Sequence, residues 1–197
     1  MIIRKMFKFI FITFILHLFS ITHSLASDDF NKWVSNFKIR AISSGVSEKV
    51  VNEIMSEAKF LPKVIEYDRY QPEFYEDTFT YINKRANKDK VSKGLSLYNK
   101  QHSIIEEIEK KFSIEKELLL ALMGIETNYG KYLGKMDIIS SLATLSYDKR
   151  RSEFFTKELI IALRLIDSKK IKHDELYGSW AGAFGNFQFM PSTILNN

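Results

Sequence analysis

The chain contains no cysteine, and only four histidines and three prolines among 197 residues. Without cysteine there are no disulfides, no thiolate metal ligands and no lipid attached at an N-terminal Cys. Histidine adds little. Beyond the first 26 residues it occurs as His102 and His173, far apart and without Asp or Glu at ligand spacing, so no metal site is expected. Neither a glycine-rich phosphate loop nor a serine-centred nucleophile elbow is found. No cofactor is implied. A strong excess of one charge is missing too. The net +5 includes Arg4, Lys5 and Lys8 in an acid-free stretch of 26 residues, and the remainder carries +2. That is too little for a polyanion-binding surface, so nucleic acid is not an expected partner.

What is present is ordinary for a folded chain: 45% hydrophobic and 27% charged residues, at a length that suits one domain with a core. Residues 1–26 read as an export signal. Arg4, Lys5 and Lys8 give the positive start, "FIFITFIL" (9–16) the apolar centre, and "SLA" the small-residue site before cleavage after Ala26. The apolar run, bounded by Lys8 and His17, is well short of the ~20 residues a spanning helix needs. Cleavage would leave a mature domain, 27–197, in the periplasm; an uncleaved signal would tether it to the membrane.

The mature part has helical periodicity almost throughout. Ser27 is a candidate N-cap, and Phe30, Trp33, Val34, Phe37 and Ala41 form one apolar stripe that Gly45 ends. A second helix starts at Ser47, with Val50, Val51, Ile54, Met55 and Ala58 inward. "LPKVIEYDRYQPEF" (61–74) has two prolines and no helical period, which predicts an extended connector. An amphipathic helix is expected over about 91–112, using Leu95, Ile104, Ile105, Ile108 and Phe112. "SIEKELLLALMGIETN" follows, with Ser113 as N-cap and apolar residues all round, the mark of a buried central helix. "DIISSLATLS" and "RSEFFTKELIIALRLIDS" supply two more helices. Strand alternation is never sustained, and no repeat or linker divides the chain. An all-α single domain is expected.

Three stretches carry candidate chemistry. In "LLLALMGIETNYG" (118–130) Glu126 follows Met123 and Leu122 by three and four residues, over an apolar helix face. Buried there, its carboxyl would be held neutral and able to protonate a leaving oxygen; alternatively, it sits at an exposed helix end before Gly130. "YGSWAGAFGNFQFMPST" (177–193) combines small residues with Trp180, Phe184, Phe187 and Phe189 and the polar Ser179 and Gln188. Aromatic faces beside hydrogen-bonding groups suit a sugar ring, and equally an ordinary core loop. Arg150 and Arg151 form a neighbouring pair that suits a carboxylate, or else a solvated helix start.

Together these stretches resemble the B-type lytic murein transglycosylases, which cleave the glycan strands of peptidoglycan. The resemblance rests on "GIETNYGKYLGK", "LATLSYDKRRSEFF", "KEL" and "GSWAGAFGNFQFMPS" in that order, with "DRYQPEF" and "TYINKR" upstream. It implies a lysozyme-like helical domain and a single catalytic carboxyl, Glu126 of the E-T-x-x-G motif, acting first as acid and then as base. The muramyl 6-hydroxyl rather than water would close the reaction as a 1,6-anhydro ring, consistent with the lack of a convincing second carboxylate. The family's binding positions carry over onto Tyr81, Arg150, Arg151, Ser179 and Gln188. Tyr81 would line the cleft, the arginines face lactyl or peptide carboxylates, Ser179 hydrogen-bond Glu126 and Gln188 touch a sugar. Two departures stand out. Phe187 replaces the small residue usual before that Gln and would narrow the cleft. The family continues beyond "MPS" with an acidic calcium-binding-like loop and further helices, whereas this sequence stops at "MPSTILNN", so part of the cleft and core is expected to be missing. A peptidoglycan lytic transglycosylase and a non-catalytic glycan-binding remnant are the two functions left open.

Overall fold

The computed structural model describes residues 28–71 and 75–196. The expected signal, 1–26, and Ser27, the expected first N-cap, lie outside the described residues. In chain order the elements are α1 (28–43), α2 (Glu48–Ser56), α3 (Pro62–Arg69), α4 (Thr78–Arg85), α5 (Lys88–Phe112) and α6 (Lys116–Thr127). A two-residue strand β1 (Met136–Asp137) leads into α7 (Ile138–Tyr147) and α8 (Ser152–Asp167). Strand β2 (Tyr177–Gly178) and the short α9 (Pro191–Leu195) follow. The architecture is helical, as expected, and no described helix is long and apolar enough to cross a membrane.

α1 buries Phe30, Val34, Phe37 and Ala41 along one stripe. It ends at Gly45 (φ 94°), where the Gly45 and Val46 N–H groups donate to the Ile42 and Ala41 carbonyls, and Val46 tucks into the core. α2 starts at Ser47, whose hydroxyl accepts from Val50 N–H. The Ser47 N–H and O–H both donate to Asp167, at 2.8 and 2.7 Å, fastening α2 to the end of α8.

Segment 61–74 corrects the expected extended connector, because Pro62–Arg69 is helical. Pro62 stands in the first turn, where its missing N–H would have had no intrahelical partner. Val64 and Asp68, four residues apart, are the buried side of α3, and Leu61 N–H donates to Thr144 Oγ1 of α7 at 3.0 Å.

The buried central helix is α7 rather than α6. Ile138 through Ser146 are all buried, and α1, α2, α7 and α8 close the main core around them. α6 buries Gly124 and Thr127 while Leu118, Leu122 and Ile125 stay exposed. On α5, Ile105 is buried, but Leu95, Ile104 and Phe112 of the expected stripe are exposed. The reason is local. α5 and α6 meet along a narrow strip filled by the Tyr129 ring, whose hydroxyl donates to Lys90 O at 2.8 Å. Desolvation there pushes the Tyr129 phenol pKa up. Nor does Ser113 cap α6. With φ 53° it ends α5, and Glu115 takes the N-cap position.

Candidate active site

Glu126 lies in the last turn of α6. Asn128, Tyr129 and Gly130 follow with φ of 50°, 60° and 81°, which ends the helix and folds the chain back. Of the two readings of Glu126, the structure takes the exposed helix end, not the apolar pocket. Its carboxylate forms no hydrogen bond or ion pair among the described residues, so both oxygens can meet a ligand.

The next residue fixes where that carboxylate sits. Thr127 is fully buried, and its hydroxyl donates to Asn186 O at 2.8 Å, with Met123 O at 3.1 Å, while accepting from Gly130 N–H at 3.0 Å. One side chain therefore ties the end of α6 to the aromatic loop 179–190. Sequence reading passed over Thr127 as a tether, although its place beside the candidate acid in E-T-x-x-G was a usable signal. A second seam runs through the β1–β2 pair, with Met136 opposite Gly178. There a Cβ on Gly134 would lie 2.0 Å from Gly178 O, so the close approach requires glycine.

The loop divides its aromatic residues between two tasks. Trp180 and Phe184 pack on the core, whereas Phe187 stacks on Phe189 with centroids 5.8 Å apart. Phe187 thus lies beside Gln188, in the departure noted from the family pattern. Gln188 holds φ 47° and donates its amide to Leu133 O (3.1 Å) and Gly185 O (3.0 Å), leaving its side-chain oxygen free of those bonds. Ser179 is placed differently from expectation. Its N–H donates to Ala183 O and its hydroxyl accepts from Ala183 N–H at 3.0 Å, which closes a tight loop; no bond to Glu126 is formed. A five-residue turn, 179–183, gives that oxygen a local partner, so it faces its own loop.

Tyr81, on α4, is exposed, and the Arg85 guanidinium lies over its ring at 3.8 Å. Arg150 and Arg151 occupy the start of α8, each about half exposed, and both turn toward Asp68 of α3. Arg150 Nη1 donates to the Asp68 carboxylate at 3.0 Å and to its backbone carbonyl, and Arg151 Nη2 donates to the other carboxylate oxygen. Asp68 was missed from sequence because the extended reading of 61–74 concealed its helical register with Val64.

The helical scaffold thus carries a partner-free Glu126 at the end of α6, a helix end that Thr127 ties to the aromatic loop. Residues 29–197 match the family model described as Transglycosylase SLT domain, and the chain belongs to that family. Membrane-bound lytic murein transglycosylase B of Escherichia coli K12 is 30% identical over 159 residues, 76% of this chain and 44% of the relative. Pseudomonas aeruginosa SltB3, solved in complex with NAG-NAM-pentapeptide, gives a TM-score of 0.80 at 30% identity, over 85% of this chain and 45% of that one. Escherichia coli Slt35, solved in complex with bulgecin A, gives 0.72 at 29% identity, over 83% of this chain and 53% of that one. The B-type resemblance and the all-α, lysozyme-like expectation agree with these matches. The chain spans about half the length of the relatives it matches.

Proposed function

We propose that the chain is the Glu126-bearing part of a peptidoglycan lytic transglycosylase, exported to the periplasm by residues 1–26. The observation that carries this reading is the partner-free carboxylate of Glu126 at a helix end that Thr127 ties to the loop bearing Phe187, Gln188 and Phe189. Family membership and the relative solved with NAG-NAM-pentapeptide support glycan as the substrate class. In the reaction, the Glu126 carboxyl gives its proton to the oxygen between N-acetylmuramic acid and N-acetylglucosamine, and the C1–O bond breaks. The muramyl 6-hydroxyl then attacks C1 and returns its proton to Glu126, so the enzyme is regenerated and no water is consumed. A saccharide lying over Glu126 excludes water from the reacting carboxyl. Arg150 and Arg151 face carboxylates of the substrate, Tyr81 lines the cleft and Gln188 touches a sugar. Ser179 shapes the loop, its hydroxyl accepting from Ala183 N–H.

The test is incubation of the mature chain with purified sacculi. Mass spectrometry should find 1,6-anhydromuropeptides, and Glu126→Gln should abolish them. Reducing ends would instead mean hydrolysis by water. A second reading, a module that grips glycan without cutting it, is favoured by the openness of Glu126 and of the neighbouring Leu122 and Ile125. It predicts pelleting with sacculi that Glu126→Gln leaves unchanged and no cleavage product of either kind.

A further inference from the structure

The Asp68 side chain is 0% exposed, whereas those of Arg150 and Arg151 are 49% and 44% exposed. A carboxylate completely withdrawn from water thus faces two guanidiniums that still reach it. Successive side chains diverge on a helix or a strand, so two neighbouring arginines do not converge on one atom group by default. Here Arg151 adopts the left-handed conformation, φ 55° and ψ 22°, uncommon for a residue with a Cβ. The result is convergence: one guanidinium on each Asp68 oxygen, with Arg150 also bound to the Asp68 carbonyl. The Arg151 guanidinium is backed by the Phe155 ring at 4.9 Å, which fixes its plane. Arg69, beside Asp68 in sequence, does not compete, because it pairs with Asp148 at 2.9 Å. One buried negative charge serves two positive ones, whose side chains remain about half exposed.

We propose that Asp68 is a positioning residue: it aligns Arg150 and Arg151 as one forked receptor for a carboxylate of the peptide borne on the glycan. This rests on the role given to the arginines under the proposed function. Alignment and simple electrostatics make opposite predictions. Neutralising Asp68 raises the local positive charge, so an anion held by charge alone binds more tightly. An anion held by two prealigned forks binds more weakly, because the guanidiniums repel and part once their shared anion is gone.

The probes are GlcNAc-MurNAc-pentapeptide with free carboxylates and the same compound with those carboxyls amidated, titrated calorimetrically into the mature chain. The wild type should prefer the charged form by about tenfold, the scale of a charge-assisted hydrogen-bond pair. Asp68→Asn should bring that ratio close to one while leaving affinity for the amidated form unchanged, which a general loss of structure would not do. Arg150→Lys with Arg151→Lys keeps both positive charges and the buried carboxylate but removes the forks, and should lose the preference as well. This double variant decides the matter if circular dichroism finds Asp68→Asn unfolded: retained preference overturns the proposal. A preference kept or increased in folded Asp68→Asn overturns it too and leaves the arginine role standing. No preference in the wild type removes the arginine role itself.

Discussion

The Thr127 hydroxyl stands 2.8 Å from the Asn186 carbonyl oxygen, 59 residues further along the chain. It also accepts the Gly130 N–H, so a single buried oxygen sets the end of α6, the turn after it and the aromatic loop. Thr127→Val keeps the shape but removes the partner of the Asn186 carbonyl and of the Gly130 N–H, in part-buried bonds worth about 0.5–1.5 kcal/mol each. Thr127→Ser keeps the bonds and should cost less. Urea unfolding should rank wild type above Ser above Val, and retention of sacculus binding should follow the same order. A valine variant as stable as the wild type would remove Thr127 from its role.

Gly94 and Gly124 face the same Tyr129 ring, with different margins. A Cβ on Gly94 would lie 2.6 Å from the Tyr129 hydroxyl but 3.2 Å from the ring carbon that bears it, whereas on Gly124 both would be close, 2.7 and 2.8 Å. Gly→Ala inside a helix is otherwise favourable by about 0.5–1 kcal/mol. Gly94→Ala should therefore destabilise in the wild-type background and be largely rescued by Tyr129→Phe. Gly124→Ala should not be rescued, because the ring carbon is still too near. Thermal melts of the four combinations test this, and equal rescue at both sites would contradict the packing described.

Exposure on α6 and burial on α7 predict unequal costs for superficially similar leucines. Leu142 is 0% exposed, and Leu142→Ala should cost about 2–5 kcal/mol through lost contacts and a residual cavity. Leu122 is 41% exposed, and Leu122→Gln should change stability by no more than about 0.5 kcal/mol. Chemical denaturation of both variants checks the pair. A large loss for Leu122→Gln would mean that α6 is covered in solution.

Where one helix face meets one core, the sequence was enough. Phe30, Val34, Phe37 and Ala41 of α1, and Val51, Ile54 and Met55 of α2, are buried at their periodic positions. α6 defeated the same logic, since a helix apolar on every side does not reveal which side is covered. α3 was hidden by Pro62, read as a breaker although its place in the first turn makes it a starter. Glu126 was recoverable as a candidate acid, and its exposure follows from the helix stop two residues later. The Asp68 clasp on Arg150 and Arg151 spans 82 and 83 residues, beyond any local pattern. Ser179 and Gln188 were legible as members of one loop, but the local bonds that occupy them depend on left-handed turns at Gly182, Gly185 and Gln188 itself.

The Ser47–Asp167 contact sets a pH dependence whose sign is fixed. The Ser47 hydroxyl first, then its N–H, hold the Asp167 carboxyl below its ordinary value of 3.8, against a smaller opposing effect of desolvation. The unfolded chain therefore takes up this proton at higher pH than the folded one. The contribution is complete above the unfolded value and is lost as pH falls through the folded value. Glu106 and Glu109 act in the same direction: Tyr98 and Lys116 lower the first, and the Lys116 N–H and ammonium the second, from 4.5. Wild-type urea midpoints should hold steady near neutrality and decline below about pH 4–5. Asp167→Asn should start lower at pH 7 and decline less steeply, while Ser47→Ala gives a weaker form of the same change because the backbone N–H still donates. Parallel wild-type and Asp167→Asn curves down to pH 2 would mean that this contact contributes nothing to the acid limb.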